Sequence, residues 1–533
     1  MSLDGYNTHD EADISTTAVV VGAGHNGLIA AAYLARAGID TVLIEARHDV
    51  GGCASTVTDL GARFNICNCD HTMIRAMPVI DDLDLANHGL HYLESEFSLI
   101  HTSHEGPESW VFHSDIDAHL EDLARTNPTW VDHYRRYLND ALPVARLAID
   151  IARTTPSFPA FMRTVAGLRG RGAARLLQWS RSSALAVLTH YFDDWRAWMP
   201  AVATGPTVWG VHPSMPGTGL AAAGYATKHL IRTGRPVGGS GALTDAVLRS
   251  FEAAGGVTML GRSVRRLDTD GSGVSAVVLD NDVRIRAQHV IAACDPQRVV
   301  HEWLDGNHDA LSDEVRQWRE RPVHDGYESK VDAVLTERPV FAHERWLQER
   351  LGREIDAHSP TTVVCPSPND LDQAHQRRTV GAVAERPTML VNIPTVLDPS
   401  MQLNPAEHVL SLEVLFTPYT HEWSHSTEPA RWLELLDGLC EPGTLQVDRW
   451  RSMTPDRYER EFAMHRGHTP AFSGPPLHTL LGRQPDLTRH VGPVAGLHIA
   501  GAAAFPGAGI FGGAGRNAAS RVLEQLGSRS SRN

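Results

Sequence analysis

The chain has 533 residues, 42% of them hydrophobic and 21% charged, with 45 Gly and 31 Pro, a balance that excludes a disordered or fibrous protein. Its 48 Lys and Arg against 63 Asp and Glu leave a formal charge of -15, a field that repels phosphate backbones and argues against a nucleic-acid partner. Six cysteines are too sparse for a disulfide framework and fit a reducing cytosol.

The opening segment, MSLDGYNTHDEADIS, carries acids where a signal peptide needs a basic and then an apolar region. No apolar run approaches the ~18 residues that span a bilayer, so the expected location is cytoplasmic, at most peripheral to a membrane. Residues 1–15 and 527–533 read as polar tails. Thr17 to Val21 is a β-branched run of the kind that forms a buried parallel strand. It runs into Gly22-Ala-Gly-His-Asn-Gly27 and then into helix formers from Leu28 to Arg36, closed by Gly38. Thr41 to Glu45 reads as a second strand and completes a β-α-β unit. From about Asp115 to Leu230 helical patterns dominate. Leu243 to Glu252 is again helical, short strands follow around Asp270-Gly271 and Asp280-Asn281, and Val290 to Cys294 looks like another buried strand. His408 to Phe416 reads as a strand with Leu410, Leu412, Val414 and Phe416 on one face. Leu497 to Ala500 leads into a glycine-rich turn and a final helix.

Gly22, Gly24 and Gly27 form G-x-G-x-x-G between a strand and a helix. The first glycine permits the tight turn, the second lets the backbone approach a pyrophosphate, and the third allows close helix–strand packing. The pyrophosphate then meets the unpaired N–H groups of a helix N-terminus. Glu45 ends the second strand, where a carboxylate can accept from ribose hydroxyls and repels the 2′-phosphate of NADP. Strand, glycines, helix, second strand and acid in register make this a dinucleotide site rather than an ordinary tight turn.

Glu45 is followed by Ala46 and, five residues on, by Gly51-Gly52-Cys53. This resembles the E-x5-G-G extension of flavoproteins of the glutathione reductase and amine oxidase type. The segment from Gly501 to Ala519 resembles the C-terminal signature of phytoene desaturase-like flavoproteins, and Pro236 to Leu243 followed by Val264 resembles their middle FAD segment. Further likeness lies at Leu60 to Phe64, Leu83 to Leu90 and Ile393 to Pro399, so the resemblance runs from about Thr17 to Leu523. Within that family it is nearest to the branch labelled pyridine nucleotide-disulfide oxidoreductase domain protein 2. No C-x4-C redox disulfide follows the FAD loop.

The resemblance implies an α/β fold: a Rossmann-type FAD-binding domain with a mixed-sheet substrate domain and a helical lid. The FAD domain would be assembled from 16–100, 235–300 and 486–526, with 101–234 a helical/substrate region and 301–485 the substrate-binding domain. Non-covalent FAD would be held by Gly22, Gly24, Gly27, Glu45, Ala46, Gly51, Gly52, Cys53, Val264, Gly501, Ala502, Gly512 and Gly513. Two positions depart from many relatives, with Cys53 in place of an Arg and Ala502 in place of an acid. The implied activity is hydride transfer between flavin and an extended apolar polyene or isoprenoid-like substrate, most simply C–C dehydrogenation, with NAD(P)H a candidate electron donor. Reductive cyclisation of a polyene, redox-neutral isomerisation, and flavin-free binding of a lipidated partner, as in GDP-dissociation inhibitors, are the alternatives.

For catalysis, Cys67, Cys69 and His71 alternate, so a strand would aim all three at one face. C-x-C-x-H matches no standard zinc spacing, and no metal is expected. His71 is the candidate proton carrier, because imidazole titrates near neutral pH. His25 is read as a tolerated loop position without a catalytic role. Glu413 and Tyr419 are placed to enter the substrate cavity or to lie on a solvated strand face. From Ile151 to Phe192 there are six arginines and no lysine, interleaved with Phe158, Met162 and Leu177. That pattern fits either a lid with a solvated basic face or peripheral contact with anionic lipid through 151–192.

Overall fold

The computed structural model describes residues 14–67, 69–154, 157–304, 313–320, 328–467 and 485–530. The expected tails at 1–13 and 531–533 lie outside them. At its centre is a five-stranded parallel sheet made of β1 (Ala18–Val21), β2 (Thr41–Ile44), β3 (Val257–Met259), β4 (His289–Ala292) and β5 (Leu497–Ile499), in the order β3-β2-β1-β4-β5. Segments from the beginning, middle and end of the chain therefore share one sheet. Strand alternation sorts its residues cleanly. Ala18, Val20, Leu43 and Ile291 pack on one face under three helices, α1 (His25–Arg36), α2 (Gly241–Ala253) and α3 (Gly513–Ser530). Val19, Val21, Val42, Ile44, Val290 and Ala292 face the opposite layer with Leu267, Val277 and Trp303. Burial on both faces explains why these strands read as unbroken apolar runs.

That opposite layer includes a four-stranded sheet in the order Ile14–Ser15, Arg284–Arg286, Gly273–Leu279, Val264–Asp270. Ile14 and Ser15 thus belong to a sheet and not to the expected tail, because Ile14 pairs in parallel with Ile285. The final helix likewise continues to Ser530, through part of the expected C-terminal tail.

A seven-stranded mixed sheet forms the second body, ordered Val447–Met453, Glu328–Leu335, His408–Leu415, Met389–Asn392, Thr361–Cys365, Leu99–Ser103, Gly106–Phe112. The last two strands lie just ahead of the helical stretch expected from about Asp115, around the start of the helical/substrate region at 101–234. Helices begin at Ile116 and fill the interval to Leu230, the longest being Val131–Ala152. Their core joins Tyr134, Tyr137, Trp179, Phe192 and Tyr225 to Phe112 and Val363 of the sheet. Leu410, Leu412 and Val414 share the core on one face as expected, but Phe416 leaves it. The strand stops at Leu415, and Phe416 has φ 74°, which turns its ring toward Ala374 and Ala384.

Candidate dinucleotide site

The site begins where β1 ends. Gly22 N–H donates to Ile44 O at 2.8 Å, the chain turns at φ 97°, and α1 starts at His25. Gly27 sits in the first turn of α1 with its missing side chain aimed at Gly22: a Cβ there would lie 1.8 Å from the Gly22 carbonyl oxygen. Gly24 is the reverse case, since a Cβ there would meet no protein atom within 4 Å. Glu45 pins the loop, accepting from Ala23 N–H at 2.7 Å on one carboxylate oxygen and from Arg47 N–H at 2.9 Å on the other. The diglycine loop closes over it, with Gly51 N–H donating to Ala23 O at 2.8 Å.

These backbones wall a cavity of about 530 Å³ running outward from the carboxyl ends of the central strands, the position at which open α/β sheets bind ligands. Gly22, Gly24, Glu45, Ala46, Gly51, Gly52, Cys53, Val264, Gly501 and Ala502 line it. Gly27, Gly512 and Gly513 do not. A Cβ on Gly512 would meet Ile29 and Ile74, and one on Gly513 would meet Pro506, so both serve packing of α3 against its neighbours. The C-terminal contribution to the wall comes instead from Ala503 and from Ala508 to Ile510.

The wall fits a polar, extended ligand. His25 Nε2, Asn26 Oδ1, Arg47 Nη1 and Trp303 Nε1 are buried, and none has a hydrogen-bond partner among the described residues. All four residues line the cavity. Buried polar atoms are almost always paired, so four unpaired ones on residues that line one cavity fit a site completed by a polar ligand. Removal from water lowers the His25 imidazole to about 4 against a backbone hydrogen bond to Gly509, so the ring is neutral at pH 7. The groups suit an adenine dinucleotide: helix-terminal N–H groups and the open face of Gly24 for the pyrophosphate, Glu45 for a ribose, and the Val264 backbone for adenine.

Sequence reasoning missed several lining residues, namely Arg47, Val208, Asp295, Arg298, Trp303, Glu328 and the Phe462 to Met464 turn. They lie far apart in sequence, on a strand end, short helices and turns, and no local pattern announces them.

Cys67, Cys69 and His71 do not share a strand face. Their strand ends at Asn65 because the partner strand begins only at Thr56, after residues 52–54 have curled into a 3-10 turn at the cavity. The three side chains diverge. Cys67 faces the cavity, Cys69 lies 3.7 Å from Asn392 Oδ1, and His71 points into the interior. The His71 ring is fully buried and holds Tyr92 through Nδ1 at 3.1 Å and Ser240 through Nε2 at 3.2 Å. Burial lowers it to about 3, and the nearby His25 ring lowers it further. With both nitrogens engaged and no face on the cavity, His71 is a brace for the 234–240 loop rather than a proton carrier. Neither Glu413 nor Tyr419 lines the cavity: Glu413 is buried in register with Lys330, and Tyr419 donates to Glu459. No cluster of three His, Cys, Asp or Glu side chains among the described residues has the arrangement of a metal site.

A buried ion pair borders the cavity, which Asp70 lines. Arg235 donates to Asp70 Oδ1 at 2.6 Å and to Thr361 Oγ1 at 3.0 Å, and it also bonds Ser359 O. Burial alone would raise the Asp70 carboxyl, but the Arg235 guanidinium outweighs it and holds the group below the usual range.

Comparison with known proteins agrees with this geometry. Residues 20–79 match the NAD(P)-binding Rossmann-like domain family. Pyridine nucleotide-disulfide oxidoreductase domain-containing protein 2 of Rattus norvegicus is 28% identical over 96% of this chain and 93% of its own. A limonene dehydrogenase component of Castellaniella defragrans is 24% identical over 96% and 94%. A lycopene-forming phytoene desaturase of Paracoccus sp. is 26% identical over 56% and 58%. Among solved structures, putrescine oxidase bound to putrescine superposes with a TM-score of 0.62 at 19% identity, over 97% of this chain and 100% of that one. The chain is thus similar over nearly its whole length to proteins named as oxidoreductases and over about half of it to a phytoene desaturase, on an amine-oxidase-like fold with a Rossmann-like dinucleotide-binding segment.

Proposed function

We propose that this protein holds FAD non-covalently in the cavity and transfers hydride between the flavin and an extended apolar, isoprenoid-like substrate, with C–C dehydrogenation as the favoured direction. The observation that carries this is the cavity wall, drawn from the beginning, middle and end of the chain and including four residues with unpartnered buried polar atoms. Bound flavin supplies the acceptance or delivery of hydride; the protein supplies orientation and exclusion of water. Gly24 leaves room for the pyrophosphate, Glu45 fixes the loop and meets a ribose, and Gly51 and Gly52 bring the backbone beside the cofactor. Val208, Phe462 and Ile510 give part of the wall an apolar character suited to a hydrocarbon. The relatives named for limonene and phytoene support the same substrate class.

The test is direct. Purified protein should be yellow and release FAD on denaturation, and anaerobic addition of terpenoid or polyene candidates should bleach the flavin with a two-hydrogen change in substrate mass. A colourless protein that FAD cannot reconstitute overturns the proposal and favours the flavin-free binding reading.

The location we propose is cytoplasmic with peripheral contact at an anionic lipid surface. Among the described residues no helix is long and apolar enough to cross a membrane. On the helices Phe158–Gly167 and Ala173–Trp179, however, Phe158 is 71% exposed, with Met162 at 48% and Leu177 at 41%. Arg163, Arg169 and Arg171 are exposed beside them. Arg175 is instead paired with Asp140 at 2.8 Å, which removes it from the basic face. Exposed apolar side chains ringed by arginine suit a headgroup layer, through which a lipophilic substrate would also arrive.

A further inference from the structure

The hairpin after the diglycine loop does something the sequence spacing hides. Thr56–Asp59 pairs with Ala62–Asn65 in antiparallel register, with Thr56 opposite Asn65. One more hydrogen bond, Ile66 N–H to Ser55 O at 3.0 Å, carries the pairing past the strand ends. Beyond it residues 52–54 curl into a 3-10 turn, and Cys53 and Cys67 pack against the same cluster of Ile66, Met453 and Tyr458. Both line the cavity, and Cys53 is the neighbour that acts most strongly on the Cys67 thiol. Cys53 Sγ also lies 3.0 Å from Met464 Sδ, and Cys67 Sγ lies 3.5 Å from Glu328 Oε1 and 4.0 Å from the Tyr458 hydroxyl. Both cysteines are half-buried, so a small reagent in the cavity reaches them. None of Cys69, Cys294, Cys365 and Cys440 has another thiol among the groups acting on it.

We propose that Cys53 and Cys67 form a reversible dithiol–disulfide couple in the wall of the cofactor cavity, oxidised by low-molecular-weight disulfides and restored by thiols. The neighbouring Cys53, burial, and the carboxylates of Glu328 and Glu413 hold Cys67 as a thiol, which favours Cys53 for the first attack. Its thiolate attacks one sulfur of a glutathione-type disulfide, whose S–S bond breaks and whose other half leaves as a thiolate that takes up a proton. Cys67 then gives its proton to the Glu328 carboxylate and attacks the Cys53 sulfur, releasing the second small thiol. In sum the two protein thiols lose two hydrogens and the small disulfide gains them. Closing the bond draws the sulfurs to about 2.05 Å and ties the diglycine loop to the far side of the hairpin. The loop's grip on a cofactor would then depend on redox state; only this consequence rests on the FAD reading above.

The experiment equilibrates the full-length protein, with whatever cofactor it retains on purification, in glutathione buffers from reduced to oxidised, then quenches, alkylates and maps the peptides by mass. The expected result is a Cys53–Cys67 cross-link, about 2 Da lighter than the dithiol, that rises sigmoidally with oxidised glutathione and is reversed by dithiothreitol. The other four cysteines stay alkylatable after unfolding. The variant C67S should trap a glutathione adduct on Cys53, since the resolving thiol is gone, and C53S should form no link. Two thiols that are alkylated separately in the most oxidising buffer, or that each carry glutathione without cross-linking, overturn the proposal. The visible spectrum of the same samples reports flavin independently, so loss of the couple and loss of the cofactor reading are told apart.

Discussion

Gly24 and Gly27 lie three residues apart in one loop, and the structure assigns them opposite sensitivities. Consider Gly27→Ala. Its methyl would lie 1.8 Å from the Gly22 carbonyl oxygen, so the gap must open by more than an ångström to reach even 3.0 Å. Helix propensity favours alanine there by about 1 kcal/mol, whereas forcing a methyl into a packed backbone contact costs about 3 kcal/mol or more. The net expectation is a loss of about 2 kcal/mol, read as a lower denaturation midpoint. Gly24→Ala behaves differently. Its backbone is extended, at φ -66° and ψ 168°, which any residue adopts, and its methyl meets no protein atom. The fold should be unchanged or slightly more stable, by about 0.4–1 kcal/mol. The methyl instead occupies the space kept for a phosphate. Each charge-assisted hydrogen bond lost there is worth about 1.5–3 kcal/mol, or roughly one to two decades in Kd. Thermal denaturation and FAD titration of the two variants side by side form the assay. A Gly24→Ala protein that retains full FAD affinity, or a Gly27→Ala protein as stable as its parent, would refute the reasoning.

Further outcomes follow from other parts of the molecule. Glu45→Gln replaces an acceptor by a donor facing Ala23 or Arg47 N–H, so the loop should loosen by about 1–3 kcal/mol and FAD should be released faster in a dialysis assay. Burial holds His71, His343 and His498 at about 3 and His490 at about 4, all below the ordinary 6.5. Their folded-state values are depressed, so the unfolded chain binds the extra protons: stability is complete above pH 6.5 and declines as pH falls toward 4. Each ring removes about 1.4 kcal/mol by pH 5.5, and urea midpoints that stay flat from pH 7.5 to 5.5 would contradict this. Arg235→Met leaves the Asp70 carboxylate buried without its main partner and should cost about 3–5 kcal/mol in chemical denaturation, with Asp70→Asn in the same chain recovering part of it. Replacing Phe158 and Met162 by Ser should weaken pelleting with anionic liposomes tenfold or more, given about 1.5–3 kcal/mol for burying each large side chain; unchanged pelleting would exclude this face.

What the sequence disclosed is what short-range chemistry controls. The β-α-β unit at Thr17 to Glu45 is legible because strand, glycine turn and helix are each encoded by neighbours, and the structure places their elements close to the expected limits. Cys67, Cys69 and His71 misled for a physical reason. Alternation signals a strand only while a partner continues, and the partner had already turned into residues 52–54. Gly512 and Gly513 look like a ligand loop, yet the same absence of a side chain serves close packing against Ile29, Ile74 and Pro506, and sequence does not distinguish the two uses. The Phe462 to Met464 turn, Trp303 and Glu328 reach the cavity by long-range packing alone. The nearness of Cys53 to Cys67 was no more legible, since it arises where residues 52–54 leave the strand for a 3-10 turn that the spacing does not announce.

The central sheet takes β1 and β2 from the beginning of the chain and β5 from residues 497–499, with β4 joining them through Val290 and Leu497. During synthesis the glycine loop therefore leaves the ribosome hundreds of residues before the strand and loop that complete its cavity. Cofactor loading must wait for nearly the whole polypeptide to emerge, and a premature stop anywhere upstream of β5 would yield a chain with the fingerprint intact and no finished place to put the ligand.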